Sequence, residues 1–219
     1  MANEEPTPHS RVERPSALRP ERGEQLVRSE YRKDFRERRA EIRGASSWKL
    51  ERLQHFEEQN DPSRDALRRG DWEESLRLMR ERDVSSLKAS AVEDEHQGHI
   101  FHRVRVVEEP LTPYVQWELH SLLQRDRYGV PVRVVSADSV AAVERSGLLP
   151  ELVVLGGRTL YNVRYSDTGH SLGAIRYTEP DVVAEWQYYI KSLYKAGEAI
   201  TSYFERVVAP LPAPTNPPK

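Results

Sequence analysis

The run from His102 to Gly129, HRVRVVEEPLTPYVQWELHSLLQRDRYG, decides how the rest of the chain is read. In Arg103-Val104-Arg105-Val106-Val107 polar and apolar side chains alternate, and valine suits a pleated surface, so the segment reads as a strand. Pro110 ends it, because proline has no N–H to continue a ladder. Thr112 followed by Pro113 is an N-cap with proline in the first turn. Val115, Leu119, Leu122 and Leu123 then form one apolar stripe at helical spacing, with Gln116 and Trp117 toward its flanks, and Gly129 is the stop. A second valine-rich strand, Val130 to Val135, follows directly. Two strands bridged by a helix make a β-α-β crossover, which predicts that they run parallel.

Working outward, Leu152-Val153-Val154-Leu155 reads as a buried strand, turned at Gly156-Gly157 into Arg158 to Tyr165. Asp167-Thr168-Gly169 is a hairpin turn into Ser171 to Tyr177. Thr178 with Asp181 reads as a capping box for a helix carrying Val183, Trp186 and Ile190, interrupted at Gly197. Upstream, residues 24–43 read as a charged helix with a narrow seam of Val27, Tyr31, Phe35 and Ile42. Trp48 to Phe56 is expected to fold back on the main domain. Short helices are expected after Pro62 and after Asp71, which caps with Glu74 three positions on. A helix-turn-helix reading of that pair fails on charge, because Asp71, Glu73 and Glu74 would be the residues meeting DNA.

The expected architecture is therefore a mixed α/β (α+β) fold. It has about five strands, the crossover, flanking helices, and a helical region at residues 23–98 ahead of an α/β domain at 99–208. Nine of the fifteen prolines lie in residues 1–20 and 210–219, so residues 1–22 and the proline-rich 209–219 are expected to be disordered tails. With 33 basic and 35 acidic residues the net charge is −2, and no global field favours nucleic acid or membrane. Cysteine is absent, which excludes disulfides and thiolate zinc sites and fits a cytoplasmic protein. No apolar run is long enough to span a bilayer.

The order of elements makes residues 99–196 resemble one half of the phospholipase D-like fold, and Pro180-Asp181-Val182-Val183 leading into a Trp-bearing helix adds to the likeness. That superfamily's chemistry needs a histidine with lysine two positions later. The seven histidines here are followed instead by Arg11, Glu57, Gly98, Phe101, Val104, Leu122 and Leu172, so the resemblance implies a non-catalytic relative. Halves of this kind pair face to face, which implies a homodimer. Over residues 46–205 the chain is also similar to an uncharacterised actinobacterial family of unknown function. Trp48-Lys49-Leu50-Glu51, Arg103-Val104-Arg105-Val106-Val107, Pro110-Leu111-Thr112, Tyr114 and Trp117-Glu118-Leu119 carry that similarity. Such proteins are often encoded beside helix-turn-helix regulators, which implies a regulator as protein partner. Gly156 and Gly157 stand where that family often has an aspartate.

Candidate site residues follow from the strand ends. Arg105, Glu109, Thr112, Tyr114 and Glu118 should gather where the first strand meets its helix, an edge that favours anions. Ser136, Asp138, Gly156 and Gly157 follow the next strand ends and are expected to line the same cleft. The plainer alternative makes Arg105 and Glu118 a structural ion pair and Thr112 only a cap. His96, His99 and His102 have spacing for two zinc ligands, but solvent-exposed histidines are the simpler reading, and no metal or cofactor is expected. No GxSxG, P-loop or GxGxxG is present. The leading expectation is a non-catalytic regulatory or partner-binding protein that senses a small anionic ligand and acts with a transcriptional regulator. The alternatives are an enzyme for a phosphorylated or nucleotide substrate through a rearranged site at Arg105 and Glu109, or nucleic-acid binding through the Arg-rich helix 24–43, which the mixed charge disfavours.

Overall fold

In the computed structural model, which describes residues 14–215, eight strands form one mixed sheet. They are β1 (Glu24–Val27), β2 (Ser46–Glu51), β3 (Ile100–Val107), β4 (Val132–Ser136), β5 (Leu152–Leu155), β6 (Thr159–Tyr165), β7 (Ser171–Tyr177) and β8 (Glu198–Ala199). The helices are α1 (Arg28–Ala40), α2 (Pro62–Arg68), α3 (Trp72–Arg80), α4 (Ser85–Gln97), α5 (Pro113–Arg127), α6 (Ala137–Val140), α7 (Pro180–Ala196) and α8 (Ile200–Tyr203), the last continuing as a π-turn, Phe204–Val208. Spatial order is β1-β7-β6-β5-β2-β3-β4-β8. The three middle strands β2, β3 and β4 are parallel, and every other pairing is antiparallel.

The β3-α5-β4 crossover forms as its sequence dictates. Thr112 Oγ1 accepts the Val115 N–H at 3.1 Å, and Pro113 sits in the first turn. The five strands expected from periodicity are all present, and β1, β2 and β8 add to them. Region 23–98, expected to be helical, thus supplies two strands, and β2 sits in the middle of the sheet between β3 and β5. Residues 24–27 pair with β7 rather than opening the helix, so Val27 leaves the expected seam and lies exposed, while Tyr31 and Phe35 pack inward. The Thr178 cap does not form. Pro180 fixes the first turn and makes Glu179 the N-cap, without a side-chain bond. Residues 85–97, ambiguous in sequence, are helical and end at Gly98, whose φ of 61° is the left-handed stop that glycine adopts without strain. Of the expected tails, residues 1–13 and 216–219 lie outside the described residues. Arg14 donates to the Val143 carbonyl at 3.0 Å, and the Pro212 carbonyl accepts from Gln116 at 2.9 Å.

Each sheet face is buried differently. One face carries Trp48, Leu50, Val104, Val106, Val135, Leu152 and Val154 against Val183, Trp186 and Ile190 of α7. The other is shared by two helices. Over β3 and β4, Val107, Val132 and Val134 pack with Val115, Leu119 and Leu122 of α5. Over β5, β6 and β7, Val153, Tyr161, Val163 and Ala174 pack with Tyr31 and Phe35 of α1. Gln116 and Trp117, expected on the flanks of α5, are buried as well. The α2-α3 pair covers Trp117, whose Nε1 donates to Ser63 Oγ at 2.9 Å. Ser63 and Ser75 lock that pair by donating reciprocally to each other's carbonyls, both at 2.7 Å. Among the described residues no helix is long and apolar enough to cross a membrane.

Candidate functional site: a basic crevice between two helices

Alternation in β2 and β3 sends Trp48, Leu50, Val104 and Val106 to the α7 face, so Lys49, Glu51, Arg103 and Arg105 all point to the face shared by α1 and α5. The parallel register sets Lys49 beside Arg103 and Glu51 beside Arg105. Glu51, 2% exposed, accepts from Lys49 Nζ at 2.6 Å and from Arg103 Nη2 at 2.8 Å. Burial alone would raise its carboxyl, but the charges of Arg103, Lys49 and Arg105 outweigh that and hold it below the ordinary range. Arg105 is fully buried, donating from Nε to Glu118 Oε2 at 2.8 Å and from Nη1 to the Val106 carbonyl at 3.0 Å, while its Nη2 has no partner. Burial raises Glu118 in spite of Arg105, and Tyr114 donates its hydroxyl to Glu118 Oε1 at 3.3 Å. Burial also pushes the neighbouring Glu151 carboxyl up to about 7, although its Oε1 accepts the Arg52 and Leu53 N–H groups.

Above this strip, between α1 and α5, lies a cavity of about 360 Å³. Its walls present Arg28, Arg32, Lys49, Arg82, Arg103 and Arg125. Most of the acidic rim is already engaged, although Glu58, which also lines the cavity, makes no ion pair among the described residues and accepts from the Tyr114 hydroxyl at 3.3 Å. Glu57 pairs with Arg68; Asp61 pairs with Arg82 at 2.6 Å and caps the first amides of α2. The cations are not all matched. Among the described residues the guanidinium of Arg125 makes no hydrogen bond or ion pair, and neither does that of Arg32; the Arg28 Nε is buried without a partner. Burial pushes Arg125 down, and the like charges of Arg103 and Arg82 add to the push against the pull of Glu51 and Glu58. A half-buried cation that no carboxylate contacts gains more from a bound anion than it would in water.

The residues singled out from sequence separate into three groups. Arg105 and Tyr114 meet Glu118 at the base of this cavity, which Glu118 lines, with Thr112 serving as the α5 cap and donating to the Gln54 carbonyl at 3.1 Å. Glu109, Ser136 and Asp138 instead line a separate open groove of about 1000 Å³, where Glu109 accepts from the Tyr203 hydroxyl at 2.9 Å. Glu109 thus faces a different cavity from the one above Arg105. Gly156 and Gly157 are not in either cleft. Because β5 runs antiparallel to β2, the turn after it lies beside the start of β2, at the opposite end of the sheet, and the Gly156 N–H donates to Ser47 Oγ at 3.2 Å. Lys49, Glu51, Arg103 and Arg125 were missed. Their signal was present in the polar alternation of two middle strands and in the shared helical face of Glu118, Leu122 and Arg125, but local pattern does not show that this polar face is covered.

The three clustered histidines diverge. His102 stacks on Trp48 at 4.0 Å between ring centroids, on the α7 side. His99 is buried on the other face rather than exposed, with Nδ1 2.7 Å from Asp94 and Nε2 2.8 Å from Ser47 Oγ. With Nδ1 donating to Asp94, Ser47 donating to Nε2 and Gly156 donating to Ser47, every polar atom in the chain of bonds has a partner. The connectivity is that of a hydrolase triad, but Ser47 is fully buried. The relay ties α4, β2 and the β5–β6 turn together. On α1, Arg38 pairs with Asp34 and Arg39 with Asp94, so two of its arginines are spent on the fold.

Fold and site together define a mixed α/β protein with a charged crevice over its three parallel strands. The chain belongs to the family described as Domain of unknown function (DUF6879), whose model matches residues 33–205. No curated protein matches it.

Proposed function

We propose that the protein binds a small anion, without transforming it, in the crevice between α1 and α5, and signals its presence to a protein partner. The observation that carries this reading is Arg125, a half-buried guanidinium with no hydrogen bond or ion pair among the described residues, facing Lys49 and Arg103, which share the Glu51 carboxylate. A charge removed from water without a counter-ion is costly, and a bound anion relieves that cost. The likeness to a phospholipase D-like half, and with it the homodimer and the transcriptional-regulator partner, are proposals carried by the resemblance; co-purification from the native host tests the partner.

Calorimetric titration of the full chain with inorganic phosphate and with acetate tests the anion site. Binding should occur, and Arg125→Gln should weaken it about tenfold or more, the loss of one charge-assisted contact. In buffer free of both anions the same variant should melt no lower than the parent, because burial and the repulsion of Arg103 and Arg82 outweigh the pull of Glu51 and Glu58 on the charge it removes. Absence of binding by the parent chain, or a lowered melting temperature for Arg125→Gln without anion, overturns the reading.

A further inference from the structure

We infer that the anion held in this crevice carries an aromatic ring; the inference rests on the reading just given and names the ligand class. A second chamber of about 220 Å³ abuts the first and shares Lys49, Arg103, Arg125, Tyr165 and Ser171 with it. Beyond those five residues its walls are almost wholly apolar: Tyr31 and Phe35 from α1, Phe101 from β3, Val153 from β5, Val163 from β6, and Val130 just past α5. Only Arg39 interrupts them, and it is bound to Asp94. The crevice is thus divided by chemistry, with the cationic groups at the junction and an apolar compartment to one side.

The junction has further capacity for an anion. The hydroxyls of Tyr165 and Ser171 make no hydrogen bond among the described residues, and neither is sealed from the cavity. Both donate readily to a carboxylate or phosphate oxygen. The apolar chamber is large enough for a ring, since a cavity of about 150 Å³ lined by hydrophobic side chains accepts benzene. Its wall is suited to one as well. Tyr31 and Phe35, one helical turn apart with centroids 6.0 Å apart, are backed by Tyr161, which packs on both, and they still present ring surface to the chamber, where a further ring gains dispersion and quadrupolar contacts. An inorganic anion would fill the junction and leave that chamber unused. An acid or phosphate ester bearing a single ring fills both.

The test compares matched pairs on the full chain by calorimetry: phenylacetate against acetate, and phenyl phosphate against inorganic phosphate. The aromatic member of at least one pair should bind about tenfold or more tighter than its plain partner, and which pair shows it identifies the head group. Phe35→Ala should reduce that ratio, and Arg125→Gln should weaken both members. Aromatic members that bind no tighter than the plain anions, or a ratio that survives Phe35→Ala, overturn the inference and leave the anion reading standing. If no anion binds, both fall.

Discussion

Arg105 sits with no solvent exposure in the second of three parallel strands, one hydrogen bond away from Glu118. Both charges have lost their water, and Glu51, the other acid within reach, is already shared by Lys49 and Arg103. Removing one partner should therefore cost far more than removing both. Glu118→Leu should destabilise the protein by about 3–5 kcal/mol, the usual cost of stranding a buried charge. The double variant Arg105→Met with Glu118→Leu should recover most of that loss. Denaturant unfolding of the single and double variants measures the difference, and equal losses in the two would show that the pair is not the structural tie described. The same pair marks the limit of residue-level reading. Sequence placed Arg105 and Glu118 together correctly, since a strand residue and a helix residue follow each other through a short corner. Local pattern does not show that Glu118 would line a covered cavity while Arg105 lies sealed behind it.

At the level of elements, β1 is a four-residue edge strand that carries the chain into α1, one wall of the crevice. It pairs with β7 only because Gly173 has no side chain. That glycine has a φ of 135°, and a Cβ placed on it would lie 2.1 Å from the Leu26 carbonyl oxygen. Gly173→Ala should release β1, at a cost of about 1–3 kcal/mol, and loosen the start of α1. Hydrogen exchange should show lost protection of the amides of residues 24–27, with weaker anion binding alongside. Protection unchanged from the parent would mean that the close approach relaxes elsewhere. Elements governed by local chemistry were legible: α5 from its cap and stripe, β5 to β7 from apolar runs and glycine turns. The two-residue β8 was not, because its pairing to β4 depends on where Gly197 ends α7 and not on any pattern of its own. Likewise Glu24 to Val27 carry a helix-compatible composition, and the edge of β7 made them a strand.

For the molecule as a whole, the decisive feature is that β2, from the first quarter of the chain, separates β3 from β5. Without it the parallel and antiparallel halves of the sheet share no ladder, and Trp48 and Leu50 leave the core under α7. A fragment of residues 99–208 should therefore fail to fold as a unit, giving no near-ultraviolet dichroism and no cooperative melt, whereas the full chain gives both. A sigmoidal melt of the fragment would establish residues 99–208 as an independent domain and refute this account of the sheet.

Sequence alone determined the crossover, its capped helix, the five strands of strong periodicity and the general α/β class, because each depends on contacts within a few residues. Tertiary structure alone decided what the alternation in Trp48 to Glu51 and Arg103 to Val107 means. A period of two says that the faces of a strand differ, but not that helices from opposite ends of a long sequence separation will close over the polar one. Covering that face is what turns an ordinary charged strip into a partly dehydrated cluster in which no carboxylate contacts Arg125, and the anion reading starts there.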